Sequence, residues 1–160
     1  MANTTPSAIH TAIKALIAGL TPIGADIDGE VTYQGVNESA YKEDPEMLPE
    51  SELDRHFIAH AMEIVEAQIQ GGITSNLHEG AFEIAMGHAV SDSYEDGRDR
   101  RDNDTHQVIT QLMKPANRPA GVHWIHFESA PPPETIKDGK YFWSLIRFSC
   151  SYHIDSNYGG

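Results

Sequence analysis

Hydrophobic positions recur along this chain with two different periods. Near the N-terminus they fall at Ile9, Ile13, Leu16, Ile17 and Leu20, at spacings of four, three, one and three that draw one stripe along a helix. Thr5 can cap that helix and Pro6 suits its first turn, while Gly19 and then Pro22 stop it. Phe82, Ile84, Met86, His88 and Val90 instead alternate with other residues, the period of a strand with one buried face. The same alternation links Phe142, Ile146, Phe148, Cys150, Tyr152 and Ile154. At ~3.3 Å per residue the block 141–154 would extend roughly 40 Å, long enough to bend or twist. Its other parity holds Tyr141, Trp143, Leu145, Arg147, Ser149, Ser151 and His153, too apolar at its start for simple solvent exposure, and is expected to meet a partner subunit.

Between these segments the pattern is weaker. Residues 21–50 read as irregular, with a short strand around 31–33 and a solvated acidic, proline-containing loop over 43–52. The segment 53–69 fits two templates: Leu53, Phe57, Ala61, Ile64 and Val65 suit a helix, whereas Ile58, His60, Met62 and Ile64 suit one face of a strand. Propensity slightly favours the helix. Gly71-Gly72 and a turn-rich stretch over 76–80 precede the alternating strand, and a strongly polar run over 91–104 follows it. A helix emerges from that run with His106, Ile109, Leu112 and Met113 on one side, and Pro115 ends it. A strand over 122–127 and the Pro131-Pro132-Pro133 stretch lead into the last strand. The order is therefore helix, strands, helix, strands, without an internal repeat.

A chain of 160 residues fits one domain, and 39% hydrophobic content with Pro and Gly gathered between periodic segments describes a globular fold with long loops. Eleven basic residues against 24 acidic ones give a net charge of −13. Such a surface repels duplex DNA, because sequence-independent affinity comes from cations neutralising phosphates. The single cysteine, Cys150, rules out an internal disulfide, and its place on the apolar parity of the last strand makes it a packed thiol rather than a nucleophile. No stretch is long enough to span a bilayer, there is no membrane partner, and the N-terminus lacks a signal pattern, so the expected site of synthesis and assembly is the cytoplasm.

Nine histidines raise the question of a metal. His56 and His60, four apart, share a helix face near Glu63 or Glu52, yet lack the glutamate and further context of a zinc-protease helix. His123 and His126 have opposite parity and cannot chelate one ion from a single strand. The acidic run through Asp92, Asp96, Asp99, Asp102 and Asp104 is interrupted by arginines and lacks the central glycine of a calcium loop. His78-Glu79-Gly80 is read as part of a turn. There is no glycine-rich phosphate loop and no nucleophile elbow. The reading is therefore of a non-enzyme, with no catalytic, cofactor-binding or metal residues and no cofactor.

The element order, together with Ala-Phe-Glu-Ile-Ala-Met-Gly-His-Ala-Val at 81–90 and Phe-Trp-Ser-Leu-Ile-Arg-Phe-Ser-Cys-Ser-Tyr at 142–152, resembles the tail terminator family of long-tailed bacteriophages, the minor tail protein U-like or tail completion proteins. The resemblance covers most of the chain. It implies an α+β fold, with a mainly antiparallel, twisted sheet packed against two α-helices in a single domain over 1–160. It also implies two strand-like pieces over 55–70 in place of the helix. Members form a homohexameric ring in the virion that caps the tail tube, stops its polymerisation and joins the tail to the head-side connector. The implied partners are thus further copies of the chain, the tail tube protein and the connector or head completion protein, with DNA passing through the lumen without specific binding. The acidic loop of about 35–52 and the proline-rich hairpin loop of about 129–140 depart from the family pattern.

Physical considerations fit such a ring. An acidic lumen keeps a genome off its wall, and a cap needs a closed heterologous interface rather than a filament-forming one. The residues expected at subunit or partner interfaces are Arg98, Arg100 and Arg101, pairing with Asp99 and Asp102 across subunits, and Tyr141, Trp143 and Arg147 on the second face of the last strand. The same charges could equally form ordinary surface pairs. The 129–140 loop is expected at a rim facing the tube or the connector. Three other readings compete: another neck, connector or tail tube protein; a small metal-dependent hydrolase using His56, His60 and a carboxylate; and an acidic binding module of cellular origin.

Overall fold

The computed structural model describes residues 4–23, 32–36, 44–60, 63–69, 76–90 and 93–154, with the backbone alone for 64–69 and 76. Helix α1 (Pro6–Ala18) forms as its sequence predicts. The Ala8 N–H donates to Thr5 Oγ1 at 3.1 Å, which satisfies one of the amide groups a helix start leaves open. Ile9, Ile13 and Ile17 form its buried stripe. Gly19 ends it with an ordinary right-handed φ of −85°, so this helix stops without a left-handed cap.

Among the described residues seven strands follow: β1 (Gln34–Gly35), β2 (His56–Ala59), β3 (Glu63–Ile69), β4 (Asn76–Ala89), β5 (Val122–Ser129), β6 (Glu134–Ile136) and β7 (Tyr141–His153). Helix α2 (Tyr94–Met113) lies between β4 and β5. The sheet order is β1-β2-β4-β7-β5, with β3 also on β4 and β6 also on β7. Of these strand pairs only β1 and β2 run in parallel, so the fold is α+β with a mixed, mostly antiparallel sheet and two helices among the described residues. Its spine is the β4–β7 pair, matched over 13 positions from Leu77↔His153 to Ala89↔Tyr141.

Both faces of this spine are buried near its centre. On one face the alternating residues Phe82, Ile84 and Met86 of β4, with Ile146, Phe148, Cys150 and Tyr152 of β7, pack against α1 and against Val108 and Leu112 of α2. The Phe82 and Phe148 rings stack there at 5.1 Å. On the other face Ala85 and Trp143 join Val36, Leu48, Leu53, Ile58 and Ile136 in a second, smaller cluster. Phe57 and Ile58 are adjacent and belong to opposite clusters. Only a strand buries two consecutive side chains on opposite sides, which is why β2 forms where helix propensity pointed the other way.

Several other expectations are corrected. Residues 76–80 are the first part of β4, not a turn, because β3 and β7 flank them on both sides. The described part of the 43–52 stretch is not a simple solvated loop: two 3-10 turns, Pro45–Met47 and Glu50–Glu52, set Leu48 and Leu53 into the second cluster. The 129–140 loop contains β6, paired with the start of β7. Its hairpin turns through left-handed Lys137, Asp138 and Gly139. The expected strand at 31–33 lies instead at Gln34–Gly35, and Val31 falls outside the described residues. Helix α2 begins a full ten residues before Asp104, capped by Ser93, whose Oγ accepts from the Asp96 N–H at 3.3 Å. Its buried stripe is Gly97, Asp104, Val108 and Leu112; His106 is exposed and Met113 is 43% exposed. No helix among the described residues is long and apolar enough to cross a membrane.

Candidate functional site

The stripe of α2 is unusual in that a carboxylate occupies it. Asp104 has no solvent exposure, and neither do the two cationic-type side chains that meet it. Arg55 Nε donates to Asp104 Oδ2 at 2.9 Å, and His88 Nε2 donates to the same oxygen at 2.8 Å. Arg55 Nη2 also donates to the Ile23 carbonyl at 3.2 Å. The backbone makes this meeting possible at two places. Arg55 itself is left-handed (φ 53°), and its N–H donates to the Gly87 carbonyl at 2.8 Å. A Cβ on Gly87 would lie 2.0 Å from the Leu53 carbonyl oxygen, so only glycine lets the 53–55 turn lie against β4.

A ring of polar contacts surrounds the trio. Tyr33 Oη donates to Gln107 Oε1 at 2.7 Å, and Gln107 Nε2 donates to the Thr21 carbonyl at 2.8 Å. Burial, followed by the Asp104 charge, pushes the Tyr33 hydroxyl well above the usual phenol range. Arg100 Nη2 donates to Asp54 Oδ1 at 2.7 Å and to the Ala89 carbonyl at 3.2 Å, while the Ala89 N–H donates to the same Asp54 oxygen. Burial alone would raise the Asp104 carboxyl. The hydrogen bonds and charges of His88 and Arg55 outweigh it and hold the group below the ordinary carboxylate range. A His–Asp pair is the base-and-orienter half of a hydrolytic triad. Here His88 Nδ1 and the Ser144 Oγ of the same sheet face are buried without hydrogen-bond partners, and all three members of the centre are closed to solvent. The centre therefore ties α2, β4 and the 53–55 turn together and presents no surface to a substrate.

The residues expected at an interface fall into three places. On α2, Arg98 is exposed and pairs with Asp99 at 3.1 Å and Glu95 at 3.8 Å; Arg101 pairs with Asp102. Arg100 turns inward to Asp54. These charges are thus matched within the chain, and Arg100 belongs to the rim of the buried centre. On β7, Trp143 is 4% exposed because Leu48, Leu53 and Ile136 of the same chain cover it, with Tyr141 half-buried beside it. The apolar start of this face is met by the chain itself, not left for a partner. Farther along the same face Arg147 is exposed and donates to Glu83 Oε2 of β4 at 2.9 Å. It borders a groove of about 370 Å³ lined also by His60, Glu63, Ala81 and Glu128.

The histidines do not converge as the metal reading would need. His56 Nδ1 lies 2.7 Å from the Asp54 carbonyl oxygen, while His60 lines the groove. His126 stacks on Trp124 and His123 turns to His153. Among the described residues no group of three or more His, Cys, Asp or Glu side chains is placed to hold a metal ion. Cys150 is buried and its thiol is pushed up to about 12, chiefly by burial, as suits a packed side chain. The buried Arg55–Asp104–His88 centre went unseen in the sequence because Arg55 and Asp104 are 49 positions apart. The available signal was Asp104 itself, four residues before Val108 and eight before Leu112 on a helix that otherwise faces water.

No family model and no curated protein matches this chain.

Proposed function

We propose that this chain is a structural virion protein, a tail terminator that closes into a homohexameric ring on the tip of a phage tail tube, stops its growth and joins it to the head-side connector. The observation that carries the reading is the order of elements: α1, four strands, α2, then strands ending in the long β7. That order, with two helices packed on a mostly antiparallel sheet, supports the reading, because the resemblance to tail terminators rests on the order of elements. In this reading 1–160 is a single domain and its sheet is twisted. In this reading the half of the outer sheet face around Glu83, Glu128 and Arg147, and the exposed Arg98–Asp99 edge of α2, meet neighbouring copies, the tube or the connector. The net charge of −13 suits a lumen that DNA crosses without sticking.

The test is deletion of the gene from its source genome, with tail length and head attachment measured by negative-stain electron microscopy. Overlong, unjoined tails support a terminator. Tubes of normal length left unjoined reassign the protein to the connector side of the neck, and normal virions overturn the reading.

A further inference from the structure

One end of the sheet is closed by two imidazoles. His123 sits on β5 where the register with β7 shifts between Val122 and Trp124, and this bulge turns its ring toward His153, the last residue of β7. His123 Nε2 and His153 Nδ1 are 2.6 Å apart, with ring centroids at 4.4 Å. Both residues are half-buried. The backbone of His153 is a junction of three segments. Its N–H donates to the Gly121 carbonyl before β5 at 2.9 Å, and its carbonyl accepts from the Thr4 N–H at 2.8 Å, one residue before the cap of α1.

An N–H···N bond needs one nitrogen with a proton and one without. A single added proton leaves that possible on the far nitrogens, but when both facing nitrogens carry protons the acceptor is gone and two cations stand in contact. The surroundings oppose further positive charge. Burial first, then the charges of His153 and Arg118, lower the affinity of His123 for a proton. On β4, Leu77 lies opposite His153, Glu79 is the next residue along that face, and His78 points the other way onto Tyr152. The first four residues of α1 are uncharged. The pair is a poor metal chelate, since it offers two donors beside an arginine.

We propose that the His123–His153 contact is a proton-sensitive clasp that holds the approach to α1, the start of β5 and the end of β7 together at neutral pH and releases them when both rings are protonated. The sign follows from His123: its native proton affinity is depressed, so as pH falls through the ordinary histidine range the unfolded or opened chain takes up more protons than the closed one. Acidification therefore favours opening, and neutral pH favours closure. The inference is independent of the tail-terminator reading.

The test uses the full chain and NMR. Histidine ring titrations and amide hydrogen exchange at Thr4 and His153, corrected for intrinsic pH dependence, are compared in the wild type, His123→Gln and His153→Gln. In the wild type the His123 midpoint lies below the ordinary value, and protection at Thr4 and His153 falls several-fold from pH 7 to pH 5, the direction expected when a group binds its proton more weakly in the closed chain than in the open one. In His153→Gln the His123 midpoint rises, and in both variants the protection no longer depends on pH over that range. Protection in the wild type that is flat with pH, an equal fall in both variants, or a His123 midpoint unmoved by His153→Gln would each overturn the clasp.

Discussion

Helix α2 carries two sets of charges that a composition count treats alike. At its start Arg98 pairs with Asp99 and Glu95 at the surface; farther on, Asp104 holds Arg55 and His88 with no exposure at all. Water screens the first set, and each side chain keeps alternative partners and much of its freedom. The second set has given up its hydration, and its attraction in a low-dielectric site offsets that loss only while every member is present. Ion pairs on one helix therefore differ in consequence by their burial, not by their chemistry. Replacing the trio as a whole by apolar groups could be neutral, whereas removing one member costs the buried contacts it made with the others.

The largest expected effect is therefore Asp104→Ala. It removes the buried carboxylate to which Arg55 and His88 both donate, and unfolding by urea should show a loss of about 3–5 kcal/mol. The pH dependence sharpens the same contrast. The native Asp104 pKa is depressed, so its contribution is present above the unfolded carboxylate value and is lost as pH falls through the native one. Urea midpoints measured from pH 7 downward should fall more steeply below the ordinary carboxylate range in the wild type than in Asp104→Asn. Parallel profiles would place the acid sensitivity elsewhere. Next comes Gly87→Ala, which attacks the approach that delivers Arg55. The added carbon meets the Leu53 carbonyl at 2.0 Å, a backbone atom with no rotamer to escape into, and overpacking of this kind costs about 1–3 kcal/mol. A midpoint unchanged from the wild type would show that the 53–55 turn gives way freely.

What was legible in the sequence follows the same division between local and assembled features. Helix α1 was readable because Thr5, Pro6 and the isoleucine stripe all act within a few residues of one another. The core parity of β7 was readable because alternation is local too. Where burial is decided by distant segments the pattern misled. Phe57-Ile58 is apolar on both parities since both faces of β2 are covered, and that resembles a helix when seen alone. The apolar start of the second face of β7 signalled a cover, but the cover is Leu48 and Ile136, which lie inside stretches that read as loops, and Leu53, which read as the start of a helix. The buried centre needed a left-handed Arg55, a glycine at 87 and a carboxylate on α2 to be brought together, and no periodicity encodes such a meeting.

The remaining predictions concern the exposed end of α2, where smaller effects test the other side of the contrast. Ser93→Ala removes the hydroxyl that caps the helix beside Asp96 and should cost about 1 kcal/mol in the same urea assay. Arg98→Glu is the smallest change for the isolated chain: the side chain is half exposed and its partners Asp99 and Glu95 remain hydrated, so the unfolding midpoint should not move measurably. If this edge meets a neighbouring copy or the tube, as the proposed function holds, the reversal nonetheless sets like charges against whatever it faces, and at an interface such juxtaposition is penalised far more than at a free surface. Virions carrying Arg98→Glu should then show fewer joined heads and tails although the purified protein is as stable as the wild type. Normal joining would assign the Arg98 edge to solvent and leave the groove beside Arg147 as the surface to test next.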